Sequence, residues 1–124
     1  MKRRKKSERQ KLETKLDALV RDKVRARGYC QIKKIDKKVK ACKGFLQTAH
    51  IISRSYDRTR WLWQNVLCGC SSHHFYYTHH PDEWRQLINE QGGLYDKLWE
   101  IAWNEGKPSY EVYELEELFN KLKE

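Results

Sequence analysis

The sequence has little of what marks secreted, membrane-spanning or disordered chains. It contains two prolines and six glycines among 124 residues, and no apolar run approaches the roughly 18–20 residues of a membrane span. The basic N-terminus is not followed by an apolar stretch, so we expect no secretory signal and predict cytoplasmic residence. Thiols stay reduced in the cytoplasm, and the four cysteines are therefore expected to be metal ligands or buried thiols rather than disulfides.

Acidic side chains are scarce in the first 44 residues. This segment carries 18 Lys and Arg against 5 Asp and Glu, whereas residues 45–124 carry 8 and 12, and the whole chain has a formal charge of +9. A basic segment joined to a near-neutral one indicates a polyanionic partner. Nucleic acid is the leading candidate, because Lys and Arg contacts with phosphates supply most non-specific affinity, and no membrane partner is expected.

The length and pattern predict one α+β domain. Residues 1–6 read as a basic, disordered arm, and residues 7–124 as the domain itself. Within the domain we predict a core at about 29–80 and a C-terminal helical scaffold at about 82–123. The apolar periodicity of the scaffold is helical, so it should support the core rather than carry chemistry.

A long basic helix is predicted at the N-terminal end of the domain, over residues 7–27. Ser7 and Gln10 fit a capping box, and leucines and valines follow at helical spacing. The opposite face is basic. Lys23 and Arg27 on that face are predicted to follow a DNA backbone, although a merely solvated helix face is an equally good interpretation of either residue.

Residues 29–42 are predicted to form a short hairpin. Ile32, Ile35 and Val39 are β-branched, and a turn near residues 36–37 would bring the two ends together. Those ends carry Cys30 and Cys42, so the hairpin would act as an enlarged zinc knuckle.

Clear helix boundaries are predicted in the C-terminal part. Pro81 suits the first turn of a helix, and Gly92-Gly93 should end that helix. Three tryptophans of this part are predicted to lie in the core: Trp84, Trp99 and Trp103.

All cysteines and histidines fall between residues 30 and 80, which is typical of a metal site. A tetrahedral structural zinc needs four such ligands. One set is all thiolate, with Cys30, Cys42, Cys68 and Cys70, but a single residue separates its last two members. The preferred set replaces Cys68 with His73, because Cys70 and His73 have the usual two-residue spacer. Cys68 would then be a buried thiol.

A second group of polar residues consists of His50, Asn65 and His74. Around them stand the motifs LQTAHIISR (46–54), RW (60–61), NVLCGCSSHH (65–74) and PDEW (81–84). In this order the motifs resemble the HNH endonucleases, which have the ββα-metal fold. More narrowly, they resemble the phage NinG/Rap recombination-protein group.

The resemblance implies a metal-dependent DNA endonuclease of phage recombination or replication, acting in the bacterial host cytoplasm and selective for branched DNA. His50 matches the general base, and Asn65 either positions the loop of that base or ligates the catalytic ion. His74 matches the ligand of that ion, Mg²⁺ or Mn²⁺. Arg54 and Arg60 would clamp the phosphate.

One departure from the family pattern supports an alternative. Many HNH enzymes have Asp or His immediately before the base as a metal ligand, and this chain has Ala49. The alternative is a zinc-stabilised nucleic-acid-binding module without catalysis. For the endonuclease, one site per chain would suit a homodimer that cuts both strands.

Overall fold

The computed structural model describes residues 6–36, 38, 41–103 and 109–124, in which seven α-helices surround a two-stranded sheet. The helices are α1 (Glu8–Arg25), α2 (Gln31–Ile35), α3 (Asp57–Arg60), α4 (Ser71–Thr78), α5 (Pro81–Asn89), α6 (Leu94–Ala102) and α7 (Val112–Lys123), and the strands are β1 (Leu46–His50) and β2 (Val66–Cys70). The chain is therefore α+β, as predicted. The predicted arm, apart from Lys6, lies outside the described residues, as do residue 37 of the predicted hairpin turn and Val39.

The two strands form an antiparallel pair at the centre of the molecule. Their register runs from Leu46 opposite Cys70 to His50 opposite Val66. A loop with α3 and a single 3₁₀ turn (Trp63–Asn65) joins them, and α4 begins directly after β2. This connection places the end of β1 beside the start of β2, so His50 and Asn65 lie close to the same end of the sheet.

Helix α1 packs on one face of the sheet. Ser7 caps it through a capping box with Gln10, as predicted, and the helix ends at Arg25, two residues before the predicted end. Its buried residues, with those of α7 and β2, form one apolar cluster whose buried members are Leu16, Val20, Val24, Trp61, Val66, Cys68 and Leu115. The amphipathic spacing of α1 therefore holds it between the sheet and α7.

The opposite face of the sheet is covered by α2 and α4. The predicted hairpin over 29–42 is wrong, because Gln31–Ile35 is a helix whose N-cap is Cys30. Ile32 and Ile35 are three residues apart, which places both on one side of a helical turn. Ile32 is fully buried, and a Cβ on Gly69 of β2 would lie 2.5 Å from its Cδ1. The side chain of Ile32 therefore packs directly on the backbone of β2 at Gly69, where a larger residue would force it to shift.

The C-terminal helices follow the predicted boundaries. Pro81 begins α5, and Gly92 and Gly93, with φ of 70° and 74°, break the chain before α6. Trp84 and Trp99 are half-buried, but Trp103 is 68% exposed, so the prediction that it lies in the core is wrong. It follows the last residue of α6 and stacks on Trp99. Among the described residues, no helix combines the length and apolarity needed to cross a bilayer.

Candidate metal centre and adjoining cleft

Four side chains meet between α2, the segment before β1, and the start of α4. The ligand atoms of Cys30, Cys42, Cys70 and His73 all lie within 4.8 Å of one another. Nδ1 of His73 is 3.0 Å from Sγ of Cys70, 3.7 Å from Sγ of Cys42 and 3.8 Å from Sγ of Cys30. Tetrahedral zinc bonds of standard length separate a nitrogen and a sulfur ligand by roughly 3.5 Å. The cluster therefore fits a structural zinc with the preferred Cys₃His set.

The backbone at the start of α4 prepares Cys70 for metal binding. Cys70 is the N-cap of α4, and its sulfur accepts a hydrogen bond from the backbone N–H of His73. Burial opposes ionisation, but donors from Ser72 and His73 prevail and lower the pKa of Cys70 to about 5. Desolvation and the neighbouring thiols raise the pKa of Cys42 to about 11. One thiolate is thus ready for the metal, and binding must displace the proton of Cys42.

A buried carboxylate orients His73. Its Nε2–H donates to Oδ2 of Asp36 at 3.2 Å, which leaves Nδ1 to face the three sulfurs. Oδ1 of Asp36 accepts from the hydroxyl of Tyr77 at 2.8 Å and from the backbone N–H of Lys38 at 3.1 Å. Burial alone would raise the pKa of Asp36, but these donors lower it. Asp36 was not among the predicted site residues, because the predicted hairpin placed it in a turn.

Cys68 does not belong to the metal centre. It is fully buried in the apolar cluster beneath α1, and burial raises its pKa. It lies inside β2, whereas Cys70 stands where the strand gives way to α4. This position agrees with the prediction that Cys68 is a buried thiol and not a ligand. The all-thiolate set, which needs Cys68, is therefore not assembled.

A cleft of about 760 Å³ opens between α1 and the edge of β1 that carries Thr48 and His50. His74, the residue after the metal-centre His73, also lines it. We call it the basic cleft, and its polar lining includes Asp17, Arg21, Arg25, His50, Arg54 and His74. Two of the three predicted catalytic residues therefore share one cleft with four arginines, Arg60 being the fourth. Thr48 also lines it, and its buried hydroxyl makes no hydrogen bond to the described residues.

The protonation of His50 is fixed by a backbone contact. Its Nε2 lies 3.1 Å from the carbonyl oxygen of Arg60, an acceptor, so Nε2 carries the proton and Nδ1 keeps its lone pair. Burial lowers the pKa of His50, and Arg54 adds to this effect, although the carbonyl and Asp17 oppose it. The imidazole is therefore neutral at pH 7 and able to accept a proton.

Asn65 lies at the same end of the sheet but outside the cleft. It is fully buried, its Oδ1 accepts from the backbone N–H of Ile52 at 2.7 Å, and its Nδ2 donates to the carbonyl of Ile52 at 3.0 Å. Both amide atoms are thus committed to the segment that follows His50. Of the two roles that the resemblance implies, this geometry fits positioning of the His50 loop rather than metal ligation.

His74 contacts the cleft from α4. Its Nδ1–H donates to Oε1 of Gln47 at 2.7 Å, and burial lowers its pKa, so the neutral Nε2 is available as a ligand. However, Mg²⁺ and Mn²⁺ prefer oxygen ligands, and the residue before His50 is the buried Ala49, whose side chain has no ligand atom. In the described part of the chain, the Cys₃His cluster is the one group of three or more Cys, His, Asp or Glu ligands that could share an ion. The one carboxylate in the cleft lining, Asp17, is paired with Arg60, so the lining does not fit an Mg²⁺ or Mn²⁺ ion held by the protein.

The four predicted DNA-binding residues have different surroundings. Arg54 is exposed and lines the cleft, and Lys23 lies on α1 outside the cleft lining. Arg27 donates to the carbonyl of Val66 at 3.0 Å and its guanidinium lies 4.0 Å above the ring of Trp63. These contacts tie the half-buried Arg27 to β2 and to the 3₁₀ turn.

Arg60 is likewise held by the protein. Its guanidinium makes two hydrogen bonds to Asp17, of 3.1 and 2.6 Å, and lies 3.6 Å from the carboxylate of Glu13. Trp61 donates to the same Asp17 at 2.8 Å. The side chain of Arg60 thus ties the loop between the strands to α1, and its backbone carbonyl orients His50. Arg21 and Arg25, which share the predicted basic face of the N-terminal helix with Lys23 and Arg27, line the cleft together with Arg60.

Comparisons with known protein families, with curated proteins and with solved structures gave no match to this chain.

Proposed function

We propose that this protein is a nucleic-acid phosphodiesterase, an endonuclease in which His50 is the general base. The observation that carries the proposal is the basic cleft, where a neutral imidazole with a fixed tautomer stands among arginines. Cationic side chains hold phosphate, and a neutral imidazole accepts a proton from water. The hairpin of β1 and β2 followed by α4, with the Cys₃His cluster beside it, supports a zinc-stabilised ββα core.

The reaction follows from these side chains. Nδ1 of His50 takes a proton from a water molecule, and the resulting hydroxide attacks the phosphorus of the scissile phosphate. The bond from phosphorus to the leaving oxygen breaks, and the leaving alkoxide takes a proton from solvent. Arg25 of α1 and Arg54 of the segment after β1 both line the cleft and stabilise the charge that builds on the phosphoryl oxygens. Asn65 holds the loop that follows His50.

A divalent ion has no step in this mechanism. The resemblance implies Mg²⁺ or Mn²⁺, but the carboxylate of Asp17 in the cleft lining is paired with Arg60, which leaves an ion only imidazoles and small hydroxyl side chains. Metal dependence is therefore part of the test. The DNA substrate, its branched form and the role in phage recombination are those that the resemblance to HNH endonucleases implies. A homodimer would allow the protein to cut both strands.

The test is nicking of supercoiled plasmid by zinc-loaded protein with Mg²⁺, with Mn²⁺ and without added metal. His50→Ala should fold and bind DNA but nick about 10²–10⁴-fold more slowly, because a general base contributes that much. His79→Ala is the matched control, since His79 is an exposed imidazole outside the cleft lining. Nicking by His50→Ala at the wild-type rate would refute His50 as the base.

A second candidate function is a zinc-stabilised nucleic-acid-binding module without catalysis. The buried Ala49, where the family often has a metal ligand, favours it. This function predicts salt-sensitive DNA binding through Arg21, Arg25 and Arg54, with no nicking in any metal. Absence of nicking on both plasmid and branched DNA, together with such binding, would replace the first proposal.

A further inference from the structure

An aromatic cavity adjoins the basic cleft on the side away from α1. Its volume is about 310 Å³, at the lower end of the roughly 300–1,000 Å³ of small-molecule sites. We call it the aromatic cavity, and its defining side chains are Tyr77, Trp84, Tyr95 and Trp99. No step of the mechanism above uses these rings.

The aromatic cavity and the basic cleft share part of their lining. His50, Ser53, His74 and Thr78 line both. A phosphate held in the basic cleft beside His50 is therefore adjacent to the mouth of the aromatic cavity.

The rings are held in place before any ligand arrives. Trp99 packs edge-on against Tyr56 with centroids 4.8 Å apart, and Trp84 lies 5.3 Å from Tyr77. Nε1–H of Trp84 points to the carbonyl of Ile51 at 3.4 Å. A pre-organised wall loses little conformational entropy when a flat ligand enters.

We propose that the aromatic cavity binds an unpaired nucleobase next to the scissile phosphate, so that the substrate is a single-stranded segment of DNA. This inference rests on the proposed function. A base within a duplex is stacked and paired, and it cannot enter the cavity without leaving the helix. Stacking of an unpaired base on Trp99 and Trp84 adds to the contacts of the phosphate with Arg25 and Arg54.

The experiment compares three ligands of about 12 nucleotides, within the usual range of single-strand sites. They are a labelled single strand, the same strand with its central bases removed, and the duplex. Binding is measured by fluorescence anisotropy with zinc-loaded protein and no added Mg²⁺. The intact strand should bind roughly 5- to 100-fold more tightly than the abasic strand, which has the same phosphates. It should also bind more tightly than the duplex.

Two variants locate the effect. Trp99→Ala should remove the advantage of the intact strand while leaving binding of the abasic strand within about twofold of wild type. Trp103→Ala is the matched control, because Trp103 is exposed, stacks on Trp99 and does not line the cavity. If Trp99→Ala does not fold, Tyr95→Ala serves in its place, since Tyr95 lines the same cavity from the first turn of α6.

Equal binding of intact and abasic strands by the wild-type protein would overturn the inference. The inference would also be overturned if Trp99→Ala and Trp103→Ala lost the affinity advantage of the intact strand equally, because the base would then stack on the exposed surface. The same series with RNA identifies which nucleic acid supplies the base, and a base effect seen with RNA alone would overturn the choice of DNA.

The outcomes separate this inference from the nuclease proposal. Base-dependent binding without any nicking would leave the aromatic cavity as a nucleobase site and refute the nuclease. Nicking that depends on His50 but not on an unpaired base would support the nuclease and refute the nucleobase site.

Discussion

Removal of the carboxylate behind the zinc cluster gives the sharpest test of the metal centre. In Asp36→Ala, Nε2–H of His73 and the hydroxyl of Tyr77 both lose their acceptor in a buried site. Loss of such an orienting partner lowers metal affinity by about 10- to 100-fold, which corresponds to about 1.4–2.8 kcal/mol. We expect the folded state to lose that free energy whenever zinc is well above both dissociation constants.

The effect is measurable in two ways. Competition with a chelating indicator should show the 10- to 100-fold weaker zinc binding, and thermal unfolding in excess zinc should show a melting temperature lower by about 5–12 °C for a chain of this size. Asp36→Asn should recover part of both losses, because its amide oxygen can still accept from His73. Asp82→Asn controls for the change in charge, since Asp82 is exposed.

Unaltered zinc affinity in Asp36→Ala would refute the reasoning, because it would mean that the orientation of His73 does not depend on Asp36. A fall in melting temperature with unaltered zinc affinity would also refute it. That result would assign Asp36 to the packing of the fold and not to the metal.

Two further predictions concern the candidate catalytic residues. The pKa of His50 is lowered, chiefly by burial, and the neutral imidazole is the form that acts as a base. The rate of nicking should therefore rise with pH and reach half its maximum below the ordinary imidazole pKa of about 6.5. At pH 7–8 the rate should be constant. A half-maximum above about 6.5 in the pH–rate profile would contradict the assigned environment of His50. Asn65→Ala should lower the free energy of unfolding in urea by about 2–4 kcal/mol, because the N–H and the carbonyl of Ile52 both lose a buried partner. Asn65→Asp keeps the acceptor for that N–H and should lose less. A loss below about 0.5 kcal/mol in Asn65→Ala would show that the amide does not hold the loop.

Local sequence signals were sufficient where a single stretch decides the structure. Ser7 and Gln10 form the predicted capping box, and Pro81 and Gly93 bound their helices as predicted. The spacing of Cys70 and His73 also identified the second half of the metal centre. In each case the deciding interactions lie within a few residues of one another, so the pattern itself contains them.

Prediction from local sequence was wrong where tertiary packing overrode secondary-structure propensity. The β-branched residues at 32 and 35 suggested a strand, but Ile32 is buried against Gly69 as part of a helical turn. The exposed Trp103 shows the converse problem, and the sequence also did not reveal that Arg60 is paired with Asp17. The type of a side chain does not reveal whether a partner such as Asp17 is within reach.

The sequence by itself determined the kind of chemistry available: a basic N-terminal segment, a set of Cys and His ligands in one region, and helices with clear caps. Only the tertiary structure decided which residues act together. Asp36 stands behind His73, Arg60 turns its carbonyl toward His50, and Asn65 holds Ile52, through contacts that span 10 to 37 residues. The physical reason is that hydrogen-bond geometry and desolvation depend on where a chain returns in space, which local patterns do not specify.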